Sequence, residues 1–248
     1  MNIKTTYLSI HELGQRGNQE DNIYPSSGAA AAVPELYIVC DGMGGHEGGE
    51  VASDAICEGF SSYLESHPSE VFSREEFKAA LDAAYDLLDS RDNGNPSKMG
   101  TTLTMLRFHQ GGCLAAHVGD SRIYQIRPSQ RRILYVSRDH SLVNDLILLG
   151  EITPEEASSY PGKNVITRAL MPNCDRRDKG DVHELTDILP GDYFYMCTDG
   201  MLENIDDNGL LEIICKRGED QEKISALLEN SANNRDNHSA MLIRVLSV

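Results

Sequence analysis

Tryptophan is absent from this chain and aromatic residues make up only 6% of it, so a buried core has to be assembled from Leu, Ile, Val, Ala and Met. Basic residues are also scarce: 22 Lys and Arg stand against 39 Asp and Glu, a net charge of −17. That imbalance excludes nucleic acid and anionic membrane as partners, because both demand clustered cations. It is compatible with a bound divalent cation, which reverses the local field. No run approaches the roughly 20 apolar residues of a membrane helix, and Met1-Asn2-Ile3-Lys4-Thr5-Thr6 lacks the apolar stretch of a signal peptide. The six cysteines (Cys40, Cys57, Cys113, Cys174, Cys197, Cys215) show no C-x-x-C spacing, which argues against a zinc or disulfide framework and for a reducing, cytoplasmic setting. Two catalytic signatures are missing as well. The glycine-rich Gly42–Gly49 run has no Gly-Lys-Ser/Thr to hold a nucleotide phosphate, and no Gly-x-Ser-x-Gly elbow presents a nucleophilic serine.

What is present is a hydrophobic content of 40%, enough for a large core, in a chain with no internal repeat and no long linker. The expectation is one domain spanning residues 1–248. Three-four spacing of apolar residues predicts helices over Gly48–Leu64 and Arg74–Ser90. Short β-rich runs follow at Thr101–Phe108, Cys113–Val118, Arg122–Ile126 and Ile133–Val136, separated by turns too short for anything but antiparallel pairing, which predicts a meander. A helix over His140–Leu149, strands around Val165 and at Tyr193–Thr198, helices over Asn208–Arg217 and Asp220–Asn230 and a last strand at Ala240–Leu246 complete the pattern. Such an order predicts an α+β fold with two packed sheets and helices outside.

Against this background two runs share one form. Leu36–Cys40 and Tyr193–Thr198 are apolar strands that stop at Asp41-Gly42 and Asp199-Gly200. A carboxylate on the lip of a buried strand is rigidly held, and the Gly after it lets the chain turn away. With Glu20-Asp21 and Asp236-Asn237 they suggest an all-oxygen metal site, which favours Mg²⁺ or Mn²⁺ over zinc. Taken singly, each Asp also reads as an ordinary turn residue.

The ordered set Arg16-Gly17-Asn18-Gln19-Glu20-Asp21, Val39-Cys40-Asp41-Gly42-Met43-Gly44-Gly45-His46, Gly100-Thr101-Thr102, Val118-Gly119-Asp120-Ser121-Arg122, Ser137-Arg138-Asp139-His140-Ser141, Ile166-Thr167-Arg168-Ala169-Leu170, Cys197-Thr198-Asp199-Gly200 and Asp236-Asn237 resembles the motif series of the metal-dependent protein phosphatases, type 2C, in their bacterial form. The resemblance spans almost the whole chain. It implies a four-layer α-β-β-α sandwich, two antiparallel β-sheets flanked by helices, that hydrolyses phosphoserine and phosphothreonine in proteins with two Mn²⁺ or Mg²⁺ ions and a third, weaker one. Position by position, it implies that Asp41 bridges the two ions, with the Gly42 carbonyl on one of them. Asp199 and Asp236 would hold the other, Glu20 and Asp21 would act through metal-bound water, and Asp120 would share the third ion. Asp41, Asp199 and Asp236 would thus be the catalytic acids, and Arg16 would bind the substrate phosphate. The implied partners are phosphoproteins, with a serine/threonine kinase opposing, and the chain is expected to be a monomer. A stretch at about 139–165 matches a flap beside the metals.

Several alternatives stay open. Arg16 also reads as one half of a surface salt bridge. Animal members carry a His directly after the first Asp-Gly as general acid; Met43 stands there, leaving His46 or a metal-bound water for that role. Asp120 reads either as a ligand or as a turn residue pairing with Arg122. A catalytically dead relative used as a binding module would have lost at least one of Asp41, Asp199 and Asp236, and all three are present. A dedicated regulator acting on a single partner is a third reading, weakened by the lack of a sensor segment.

Overall fold

A computed structural model describes residues 3–28, 31–44, 48–92, 94, 99–157 and 159–248. The strands are β1 (Lys4–Glu12), β2 (Asn22–Tyr24), β3 (Leu36–Cys40), β4 (Gly42–Met43), β5 (Gly100–Thr101), β6 (Leu103–His109), β7 (Gly112–Val118), β8 (Arg122–Arg127), β9 (Arg132–Val136), β10 (Asp181–Leu185), β11 (Tyr193–Cys197) and β12 (His238–Ser247). The helices are α1 (Gly48–Ser66), α2 (Arg74–Arg91), α3 (Leu142–Leu149), α4 (Pro154–Ala157), α5 (Asp207–Cys215) and α6 (Asp220–Ser231). One five-stranded sheet has the order β1-β12-β11-β8-β9 and the other β10-β7-β6-β3-β2, with β4 and β5 forming a small ribbon. The paired strands are antiparallel.

The layering follows from strand periodicity. β3 is buried on both faces, and its alternate side chains point to different cores. Leu36, Ile38 and Cys40 pack against α1 and α2 with Ile56, Phe60, Phe77 and Leu88, whereas Tyr37 and Val39 face the other sheet with Phe108, Phe194 and Ile243. β11 does the same from the opposite side: Phe194 and Met196 enter the inter-sheet core, while Tyr195 and Cys197 meet Leu210 and Ile214 of α5 and Leu227 of α6. The result is the four-layer α-β-β-α sandwich. Helix α2 starts where the sequence says it should, because Ser73 and Glu76 form a reciprocal capping box. α1 and α2 approach so closely that a Cβ at Gly59 would stand 2.5 Å from the Ala84 Cα, so only glycine fits there.

Three expectations need correction. The run from Thr101 to Val136 is not a meander: β6 and β7 pair in one sheet, β8 and β9 in the other, and the chain changes sheets at Gly119-Asp120-Ser121. Gly119 has φ +99°, which redirects the backbone where a hairpin would have continued. No strand forms around Val165; only isolated bridges join Ser141 to Ile166 and Thr101 to Leu170. Finally, β10 escaped notice because its sequence Asp181-Val182-His183-Glu184-Leu185 is polar, as an edge strand can be.

Candidate metal centre

At one end of the sandwich several strands and turns deliver carboxylates to a single cleft of about 890 Å³, lined by Asp120, Asp139, Asp199, Glu203 and Asp236 among others. Asp41 leaves β3 with its backbone pinned on both sides: its N–H donates to Thr102 Oγ1 at 2.9 Å, and its carbonyl accepts from the Thr102 N–H and the Thr101 hydroxyl, each at 2.9 Å. Gly42 is required by the approach of neighbouring backbone, since a Cβ there would stand 2.2 Å from the Gly49 carbonyl oxygen and 2.3 Å from that of Glu20. The Gly42 N–H in turn donates to the Glu20 carbonyl at 3.1 Å, which ties the first acidic pair to the first Asp-Gly.

The second Asp-Gly is fixed by the strand beside it. Thr198 donates its N–H to the Ser239 carbonyl and its hydroxyl to Asp21 Oδ2, both at 3.0 Å, so β11, β12 and the Glu20-Asp21 segment are held together just before Asp199. Asn237 completes the frame. Its Oδ1 accepts from the Glu20 N–H at 2.9 Å, and its amide donates to the Leu13 and Asn18 carbonyls at 2.8 and 3.0 Å. Glu203 accepts from the N–H groups of Arg235 and Asp236, at 3.0 Å each, and so orients Asp236. What Glu203 and Asn237 do depends on segments more than thirty residues away.

The electrostatics of the cleft are those of an acid cluster without its counter-charge. Burial first, then the charges of Asp21, Asp199, Asp120 and Asp236, hold the Asp41 carboxyl well above the ordinary range. Asp21, 4% exposed, is pushed up to about 7 by burial, with Asp199 and Asp236 adding and hydrogen bonds from Ser239 and Thr198 opposing. Asp120 reaches about 7 through burial and the charges of Asp199 and Asp139. Desolvation raises Asp199 and Glu20 as well, and the Asp41 and Asp199 carboxyls lie close enough to hydrogen-bond. Asp21 Oδ1 and Asp120 Oδ1 are buried without any partner. Orphaned anionic oxygens of this kind are costly unless a cation meets them. The donors are all hard oxygens, so the residues present fit a divalent metal of the Mg²⁺ or Mn²⁺ type.

The structure therefore brings together Glu20, Asp21, Asp41, Gly42, Asp120, Asp199 and Asp236. Arg16 stands at the rim with a 58% exposed side chain and makes the salt bridge its alternative reading described; the acid is Asp236, at 2.6 Å. Arg122 does not pair with Asp120. Its guanidinium forks onto Asp139 at 2.7 Å through both Nε and Nη2, which leaves Asp120 without the partner expected of a turn residue. His46 lies outside the described residues. Residues of the 139–165 stretch, among them Ser141, Asn144, Lys163 and Asn164, line the same cleft.

A second polar cluster gathers His117, His140 and Asp181, with ligand-type atoms within 4.8 Å of one another. Its positive charge is already supplied by Arg168, which forks onto Asp178 and reaches Asp181 at 2.7 Å. His140 Nδ1 accepts from the Gly119 N–H at 3.0 Å, and its Nε2 stands 2.7 Å from Arg168 Nη1 and 3.3 Å from Asp181 Oδ2. This is an ion-pair network, unreadable from the chain beyond the motifs that contain its members.

Comparison with known proteins agrees with the geometry. A family model described as protein phosphatase 2C matches residues 17–241. The chain is 31% identical over 241 residues to the protein phosphatase PhpP of Streptococcus pneumoniae, covering 94% of this chain and 95% of that one. It is also 31% identical over 201 residues to the serine/threonine protein phosphatase PstP of Mycobacterium tuberculosis, where the match takes in 80% of this chain but only 36% of the relative's length. Among solved structures, the catalytic domain of PstP in complex with two manganese ions superposes with a TM-score of 0.80 at 27% identity, over 99% of this chain and all of that one.

Proposed function

This chain belongs to the protein phosphatase 2C family, and from that premise we propose that it hydrolyses phosphoserine and phosphothreonine in proteins, using two Mn²⁺ or Mg²⁺ ions. One observation carries the reading: buried carboxylates from separate parts of the chain converge in a cleft where Asp21 Oδ1 and Asp120 Oδ1 have no partner. The similarity to a PstP domain that holds two manganese ions supports it. Asp41 would help hold both ions and the Gly42 carbonyl one of them, Asp199 and Asp236 would hold the other, Glu20 and Asp21 would act largely through bound water, and Asp120 would serve a third. Divalent ions in such a site lower the pKa of bound water and offset the charge of a phosphoryl group.

The remaining tasks fall to the chain itself. Arg16 presents a guanidinium fork at the rim, where it can take phosphoryl oxygens and orient the ester, a geometry that suits arginine better than lysine. The Thr101, Thr102, Thr198 and Asn237 hydrogen bonds keep the acids in position without a change of backbone on binding. The 139–165 stretch, through Lys163 and Asn164 at the mouth of the cleft, acts as a flap that shapes the choice of phosphoprotein. The same reading takes the chain as a cytoplasmic monomer that opposes a serine/threonine kinase; among the described residues no helix is long and apolar enough to cross a membrane.

The deciding assay is release of phosphate from a phosphothreonine peptide with Mn²⁺, with Mg²⁺ and with EDTA. Turnover with either metal and none in EDTA is the expected result. Equal turnover in all three, or none in any, overturns the reading.

A further inference from the structure

The far end of the same sandwich carries an unassigned feature. A basin of about 540 Å³ lies between the turn after β8, the start of β11 and the α5–α6 corner. Its walls include Arg131, Lys216, Arg217, Lys223 and Arg244, and no carboxylate is among its lining residues. In a chain of net charge −17, a concentration of five cations is conspicuous. It is remote from the acidic cleft: β8 runs six residues from the Asp120 end to the basin end, a separation of ~20 Å.

Lys223 makes the basin more than a solvated patch. It is only 6% exposed, and its ammonium bonds to the Lys216 carbonyl and rests over the Tyr193 ring at 5.8 Å, with no carboxylate bonded to it. Buried ammonium groups are ordinarily paired with an anion, because desolvation penalises the charge; burial indeed lowers this amine's pKa. Two carboxylates of α6 stand nearby and their charges act on Lys223, but neither is bonded to it. Asp220 takes the Tyr193 hydroxyl and Arg244, and the Glu222 carboxyl lies against Gly218, in the adjoining groove between α5 and α6. Arg131, Lys216 and Arg217 carry no ion pair among the described residues and are free to fold onto a ligand. Arg131 is moreover held at φ +48°, a conformation uncommon for a residue with a side chain, by the turn that brings it to the basin wall.

We propose that this basin is an anion site that takes a phosphoryl dianion, with Lys223 at its floor and Arg131, Lys216 and Arg217 closing over it. The dianion can arrive free, as a phosphate compound, or on a phosphorylated residue of a protein. The site stands independently of the chemistry at the acidic end.

The test is a titration of the Mg²⁺-loaded protein with inorganic phosphate and with pyrophosphate, followed by amide NMR. Gly191, Tyr193 and Gly218 are expected to shift separately from residues around Asp199. In a Lys216→Glu, Arg217→Glu double variant, whose sites are not buried, the affinity read at Gly191 and Gly218 should weaken at least about tenfold. Lys223→Met, which keeps the packing and removes the charge, should do the same, while turnover of a small aryl phosphate is unchanged in both. Absence of any shift at these amides at millimolar pyrophosphate overturns the proposal, as do shifts that persist undiminished in both variants. A doubly phosphorylated peptide whose KM is lower than that of its singly phosphorylated form, in the wild type and not in the double variant, identifies a protein as the source. Equal KM values, with pyrophosphate still bound, identify a free phosphate compound.

Discussion

Strands β8 and β11 run antiparallel and carry partly or fully buried charge at both ends of the pair, yet only one end is balanced. At one end Asp120 precedes β8 and Asp199 follows β11, and their carboxyls face others of the same sign with buried oxygens unpaired. At the opposite end Arg127 closes β8 and Asp192 precedes β11. There Arg127 Nε meets Asp192 Oδ1 at 2.8 Å and Nη2 meets Oδ2 at 2.8 Å, while the Leu189 N–H donates to the same Oδ2 at 3.0 Å. The same residue types in the same sheet thus serve two purposes. A complete ion pair is structural, because nothing is left for a ligand to satisfy. An incomplete one is a binding site, because folding has gathered charge that only a further ion can neutralise.

Single substitutions can break this contrast, and the largest effect is expected at Asp41. Asp41→Asn should lower turnover of a phosphothreonine peptide by about a thousandfold, yet raise the melting temperature of the metal-free protein, since one of several repelling charges has gone. Steady-state kinetics and melts in EDTA read both. A lower melting temperature without metal would show that the Asp41 charge is already balanced in the fold.

At the balanced end the signs reverse. Asp192→Asn leaves the buried Arg127 with only the exposed Asp187 as counter-charge, at 3.0 Å, and should cost about 2 kcal/mol in urea unfolding, with turnover per folded molecule unchanged because the cleft is ~20 Å away. A variant of undiminished stability would remove the Arg127–Asp192 pair from the structural class.

The finest test concerns Asp120, which leads into the strand β8 that Arg127 closes at the balanced end. Asp120→Ala should slow turnover at saturating substrate about tenfold and leave thermal stability intact, as befits a side chain with an unpartnered oxygen. If it is a turn residue instead, the variant will lose on the order of 1 kcal/mol and keep its kcat.

Much of this site was legible before folding was considered. Asp41 and Asp199 announced themselves as a set, because a buried strand reads as a continuous apolar run and two such runs each end on a carboxylate followed by Gly. The flanking acids were legible as part of an ordered set of motifs. The task of Glu203 was not, because it accepts from the Arg235 and Asp236 backbone more than thirty residues on. The Arg168 network and the basic basin were invisible for the same reason: Arg131, Lys216 and Lys223 are unremarkable surface residues until α5, α6 and the β8–β9 turn bring them together.

The sequence by itself determined most of the strands and helices, though not β10, through local periodicity, capping and turn chemistry, and it determined that carboxylates would sit at strand ends. Only the tertiary structure decided that the chain crosses between sheets at Gly119, that Arg122 pairs with Asp139 and leaves Asp120 open, and that Arg16 leans on Asp236. The physical reason is range. Backbone preference acts over a few residues, whereas the balance of buried charge is settled between groups far apart in the chain, after packing has removed the water that would otherwise have screened them.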